Sequence, residues 1–89
     1  MLVVVLEVDP AMAVTAYIMI KVDGMTNREV LDKIVALEET REAFIIFGAF
    51  DIIVKAVFKT NEDMSSYVVE KLRSIDGVGE TQTNVCASC

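Results

Sequence analysis

Histidine and tryptophan are absent from this chain of 89 residues, and proline occurs once, at Pro10. Without histidine the commonest acid–base group at neutral pH is missing. No serine-centred nucleophile elbow and no glycine-rich phosphate cradle is present. Gly77-Val78-Gly79 is too short for a cradle and reads as a helix stop followed by a bend. Cysteine is confined to Cys86 and Cys89 at the very end. Two thiolates alone do not close a tetrahedral zinc site. A redox-active CxxC normally opens a helix, whose dipole stabilises the thiolate. The pair is therefore read as a frayed tail, with an intersubunit or metal role as the alternative. No cofactor is expected.

Cations are also scarce. Eight lysines and arginines face 14 acidic residues, for a net charge of −6. Nucleic acid is held largely by neutralising phosphates, and Lys21, Lys55, Lys59 and Lys71 are scattered rather than massed. Direct nucleic-acid binding is not expected. Long apolar runs are missing as well. Ala11 to Ile20 is short and contains Thr15, and Ala43 to Phe58 is broken by Asp51 and Lys55. A spanning helix needs roughly 20 apolar residues. The N-terminus lacks a basic leader and carries Glu7 and Asp9, which argues against a secretory signal. The expectation is a cytoplasmic protein with no membrane segment.

Aliphatic residues, by contrast, are abundant. The hydrophobic fraction is 54% and the mean hydropathy +0.50, rich for one small domain. Such a chain hides apolar surface against another copy. Its periodicity changes in a regular way. Residues 14–22 read as a strand. Thr26 opens a capping box with Glu29, followed by Val30, Leu31, Ile34, Val35 and Leu37 at helical spacing, with Glu29–Lys33 as an i,i+4 pair. Residues 42–47 and 52–59 read as strands joined by a tight turn at Gly48. Thr60 opens a second helix with Met64, Tyr67, Val68, Leu72 and Ile75 on one stripe, closed by Gly77. Residues 80–86 form a last, polar strand. Residues 1–13 are an extension to a single domain over 14–89.

The order is β-α-β-β-α-β. Shifted by 38 positions, Leu31-Asp32-Lys33-Ile34 lies over Val69-Glu70-Lys71-Leu72, and Lys21 over Lys59. Each half is thus one β-α-β unit. Two interleaved right-handed crossovers give an α+β, ferredoxin-like split βαβ fold with strand order 4-1-3-2 and both helices on one sheet face. The copper-chaperone version of that fold would carry its CxxC where Asp23-Gly24-Met25 stands. The other sheet face should be wet, yet its strand positions are largely apolar. Tyr17, Met19, Phe44, Ile46, Ile53 and Val57 are the expected face-to-face dimer interface.

At the turn, Asp51 lies beside Phe47 and Phe50. It is either a turn carboxylate bonding local N–H groups or an anchor for the ammonium of a small zwitterion. The stretch Ala43-Phe-Ile-Ile-Phe-Gly-Ala-Phe-Asp-Ile-Ile-Val-Lys resembles the hairpin of the Lrp/AsnC effector domain, also called the RAM domain. Thr15-Ala-Tyr-Ile-Met-Ile resembles the first strand of that family, and Ile75-Asp-Gly-Val-Gly-Glu-Thr-Gln-Thr its helix-to-last-strand segment. The resemblance covers about residues 14–85. It implies sheet-to-sheet dimers, often assembled into octamers, that bind amino acids between dimers near the hairpin. Carried over by position, the ligand contacts are Gly48, Phe50 and Asp51, with Thr81 and Thr83. Full-length Lrp/AsnC regulators are implied partners. The thirteen residues before the domain are too few for the family's helix-turn-helix, so DNA binding is not carried over. Residues 1–11 depart from the pattern, as an added strand or as a start site misassigned upstream of Met12. Two alternatives stand beside an effector module. One is an ACT-like amino-acid-binding domain. The other is a small dimeric enzyme of oxygenase or isomerase type, for which Tyr17 and the lysines are the candidate titratable groups.

Overall fold

Alternating apolar residues set the frame. In the computed structural model, which describes residues 13–89, strands β1 (Val14–Val22) and β3 (Ile52–Phe58) pair antiparallel at the centre of one sheet. β2 (Thr40–Ile45) flanks β3 and β4 (Val78–Val85) flanks β1. The order β2-β3-β1-β4 is the expected one, and the fold is ferredoxin-like α+β. The expected extension over 1–13 lies, up to residue 12, outside the described residues.

Two helical segments cover one face: α1 (Asn27–Val35), and α2 (Asn61–Ser66) running on into a π-helical stretch, Tyr67–Leu72. The core joins Ala16, Ile18 and Ile20 of β1 and Ile52, Val54, Ala56 and Phe58 of β3 to Val30, Leu31 and Ile34 from α1. Tyr67, Val68 and Leu72 complete it. Each large aliphatic side chain fully buried here contributes about 1.5–3 kcal/mol of transfer free energy.

The Thr26 capping box forms. The Glu29 N–H donates to Thr26 Oγ1 at 3.2 Å, and Glu29 Oε1 accepts from the Thr26 N–H at 3.1 Å. The Thr26 N–H and, at 2.9 Å, the Thr26 hydroxyl both donate to Glu29 Oε1 and hold that carboxyl below its ordinary pKa, with a weaker contribution from the Lys33 charge. The expected Glu29–Lys33 ion pair does not form, because the Glu29 carboxylate is turned back onto the cap. The pair on this helix is Arg28–Asp32, at 3.9 Å.

Other boundaries shift by one or two residues. β2 occupies 40–45 rather than 42–47, because a bulge between Thr40 and Glu42 lets Thr40 reach Ala56. Val35, expected on the apolar stripe, is exposed. The second helix ends at Leu72, five residues before Gly77. Gly77 instead turns the chain into β4 at φ +96°, where a Cβ would lie 2.7 Å from Val30 Cγ2. The Cys86 N–H donates to Thr15 O at 2.8 Å, continuing the β4–β1 ladder, and Cys86 is disulfide-bonded to Cys89.

Tyr67 ties the two layers together. Thr40 Oγ1 donates its single proton to Ile34 O at 2.9 Å. The 2.6 Å contact between Thr40 Oγ1 and the Tyr67 hydroxyl must then be donated by Tyr67. Burial pushes the Tyr67 phenol above its ordinary pKa. Its ring tilts against Phe58, with centroids 5.1 Å apart.

Candidate functional site

The β2–β3 hairpin is built around Asp51. Its N–H donates to Ile20 O and its carbonyl accepts from the Ile46 N–H, each at 2.9 Å. Its Oδ2 accepts the Val22 N–H at 2.8 Å, from a residue 29 positions away. Val22 lies just beyond Ile20, where the β1–β3 register stops and the β1–β4 register slips. The carboxylate therefore continues the sheet where backbone partners run out. Among the described residues it bonds no local turn N–H; the sequence shows no signal for this long-range contact. Oδ1 takes no hydrogen bond among the described residues.

The remaining expected ligand contacts gather partly at this end. Gly48 stands at φ +154° with open space where a Cβ would point. Phe50 is half-buried, while Phe47 is fully exposed. Thr81 pairs with Ile20 and Thr83 with Ile18, so both lie on the helix-side face of edge strand β4. Thr81, half-buried, shares with Asp51 the end of β1. Thr83 lies one step further down, exposed.

The opposite sheet face is bare. Register sets Phe44, Ile53, Met19 and Gln82 in one row across the four strands, and Glu42, Lys55, Tyr17 and Asn84 in the next. Val57, opposite Thr15, is on the same face. Ile46, past the end of β2, is half-buried. The expected interface residues within the strands are thus brought together, with Phe44 56% exposed. Tyr17, Glu42, Phe44, Ile53 and Lys55 line a hollow of about 320 Å³. Glu42, not among the expected interface residues, shares this face by plain alternation with Phe44 and stands opposite Lys55.

Among the described residues no group of three or more metal-ligating side chains is set to hold a metal ion, and no helix is long and apolar enough to cross a membrane.

The chain matches the family described as the Lrp/AsnC ligand binding domain over residues 15–88. An uncharacterised helix-turn-helix-type transcriptional regulator of Pyrococcus furiosus is 38% identical over 74 residues, covering 80% of this chain and 49% of the regulator. The chain spans about half the length of the curated relatives it matches. The crystal structure of a hypothetical protein from Pyrococcus horikoshii is 32% identical, with a TM-score of 0.78 over 84% of this chain and 90% of that one. A transcriptional regulator of Neisseria meningitidis, solved as a complex with L-methionine, shares the fold at 19% identity. Its TM-score is 0.77, covering 92% of this chain and 56% of that one.

Proposed function

Since the chain belongs to the Lrp/AsnC ligand-binding domain family, we propose that it is an effector-sensing module, not an enzyme. It binds a small molecule, an amino acid, at an interface between copies and thereby modulates transcriptional regulators. The observation that carries this reading is the bare sheet face. Its Phe44–Ile53–Met19 row is apolar across β2, β3 and β1, with Val57 on the same face and the charged pair Glu42–Lys55 beside Tyr17 in the next row. An uncovered apolar patch is a liability in a monomer. Tyr17, Met19, Phe44, Ile46, Ile53 and Val57 then form the homodimer contact, and dimers join into an octamer. The relatives are named as regulators, so the Tyr17–Lys55–Glu42 row is read as part of this interface rather than as catalytic machinery.

The effector sits between dimers at the hairpin, against Gly48, Phe50 and Asp51, with Thr81 and Thr83 at the rim. Asp51 serves two ends: Oδ2 holds Val22, and Oδ1 is left for a ligand ammonium. L-Methionine in the Neisseria regulator supports an amino acid as the class. Full-length Lrp/AsnC regulators are the co-oligomer partners. The protein works in the cytoplasm, needs no cofactor and makes no direct contact with nucleic acid.

Calorimetric titration with each of the twenty amino acids tests the reading. At least one should bind, and Asp51→Asn should weaken it by about 1.5–3 kcal/mol, the range for a hydrogen bond to a charged group. Binding that Asp51→Asn leaves unchanged would remove the hairpin from the site.

A further inference from the structure

At the end of the sheet away from the β2–β3 turn, a cleft of about 400 Å³ opens between the α1–β2 loop, the end of β3 and the second helix. That is within the size range of small-molecule pockets, and one chain supplies all of it. Three features converge on it. The β2 bulge falls at Arg41, and bulges re-aim side chains beside functional sites. The helix bounding the cleft widens into π-helical turns, seen in the Arg73 N–H donating to Val68 O five residues back. These turns carry Lys71, which pairs with Glu39 Oε2 at 2.5 Å. Third, Glu39 Oε1 is shielded from solvent and takes no hydrogen bond among the described residues, an arrangement that costs free energy unless a donor arrives.

The charges in the cleft are balanced and in part uncommitted. Arg41 donates one bond from Nη1 to Glu38 O at 3.2 Å, which leaves other guanidinium N–H groups unused. Neither Lys59 nor Asp63 enters an ion pair among the described residues. Phe58, on the helix side of β3, supplies an apolar wall. Cations and anions lining one cleft, with Lys59 and Asp63 outside any ion pair among the described residues, complement a molecule carrying both charges, and suit a simple anion or cation poorly.

We propose that this cleft is a second, intrachain binding site for a small zwitterion, with Arg41 and Lys59 taking its carboxylate and Asp63 and Glu39 its ammonium. The proposal stands independently of the hairpin site. Glu39 Oε1 is closed off as the cleft stands, so engagement requires its carboxylate to turn as Lys71, 44% exposed in its side chain, swings aside. The ligand ammonium then replaces the lysine ammonium on the same acceptor, and the shielded oxygen gains a donor.

The test is amide chemical-shift mapping of the full chain, titrated with each of the twenty amino acids and, separately, with acetate and with methylammonium. At least one amino acid should move the amides of Glu39, Arg41, Lys59 and Ser66, while acetate and methylammonium at equal concentration should not. Arg41→Gln and Asp63→Asn should each raise the dissociation constant read at those amides at least tenfold, with amide dispersion preserved. The Thr60 cap uses the Asp63 N–H, not its carboxylate, so Asp63→Asn leaves the helix start intact. Shifts confined to residues 46–51 would overturn the cleft while supporting the hairpin. Equal response to acetate, or less than tenfold weakening in both variants, would also overturn it, as would no response to any amino acid.

Discussion

The carboxylate of Asp51 accepts the backbone N–H of Val22 at 2.8 Å, tying the hairpin turn to the end of the first strand. Leaving that half-buried N–H without a partner costs about 1–3 kcal/mol. Asp51→Ala should therefore lower unfolding free energy by about that amount, and Asp51→Asn, whose amide oxygen still accepts, by about 1 kcal/mol or less. Urea unfolding curves of the two variants check the order. Equal stability of Asp51→Ala and wild type would contradict the role of the bond.

Tyr67 and Thr40 should be unequal partners in the same way. Tyr67→Phe removes one donor while Thr40 keeps its bond to Ile34 O, a loss of about 1 kcal/mol. Thr40→Val strands the buried Tyr67 hydroxyl and should cost more, about 1–3 kcal/mol. A double-mutant cycle by chemical denaturation measures the coupling. Additive losses would mean that the 2.6 Å contact carries no energy of its own.

How far the sequence foretold this architecture depends on where local pattern and tertiary contact agree. The repeat at 38 residues lays Val30 over Val68 and Ile34 over Leu72, and all four are buried. The same offset lays Ala16, Ile18 and Ile20 over Val54, Ala56 and Phe58, also buried. Period and cap chemistry are local, so β1, the Thr26 box and the sheet order could all be read in advance. The Val22 contact of Asp51 joins residues far apart in the chain, and no local pattern announces it. The bulge at Arg41 and the π-helical turns after Ser66 are likewise tertiary accommodations. Together they shape the second cleft, which is why motif reading found the hairpin and not the cleft.

Stability should have both an acid and an alkaline limb. The Lys71 ammonium holds the Glu39 carboxyl below its ordinary value of 4.5, and the Thr26 cap does the same for Glu29. Groups with lowered folded-state pKa contribute fully above the unfolded value, and that contribution fades as pH falls through the folded one. Tyr67 is raised above 10.0 by burial, so its contribution is full below that pH and is lost as pH rises through the folded value. Denaturation midpoints should thus be flat between these limits. Glu39→Gln should flatten the acid limb and Tyr67→Phe the alkaline one. Unaltered limbs in both variants would contradict the assignments.

The self-association of the bare sheet face is tested most directly by sedimentation equilibrium at micromolar concentration, comparing wild type with Met19→Asp and Ile53→Asp. Met19 and Ile53 are directly opposed on the two central strands, and a carboxylate at either would be buried unpaired in the interface. The wild-type chain should sediment as a dimer or a multiple of one, and the variants as monomer or aggregate. A wild-type chain found only at its single-chain mass of 9.8 kDa would contradict the account.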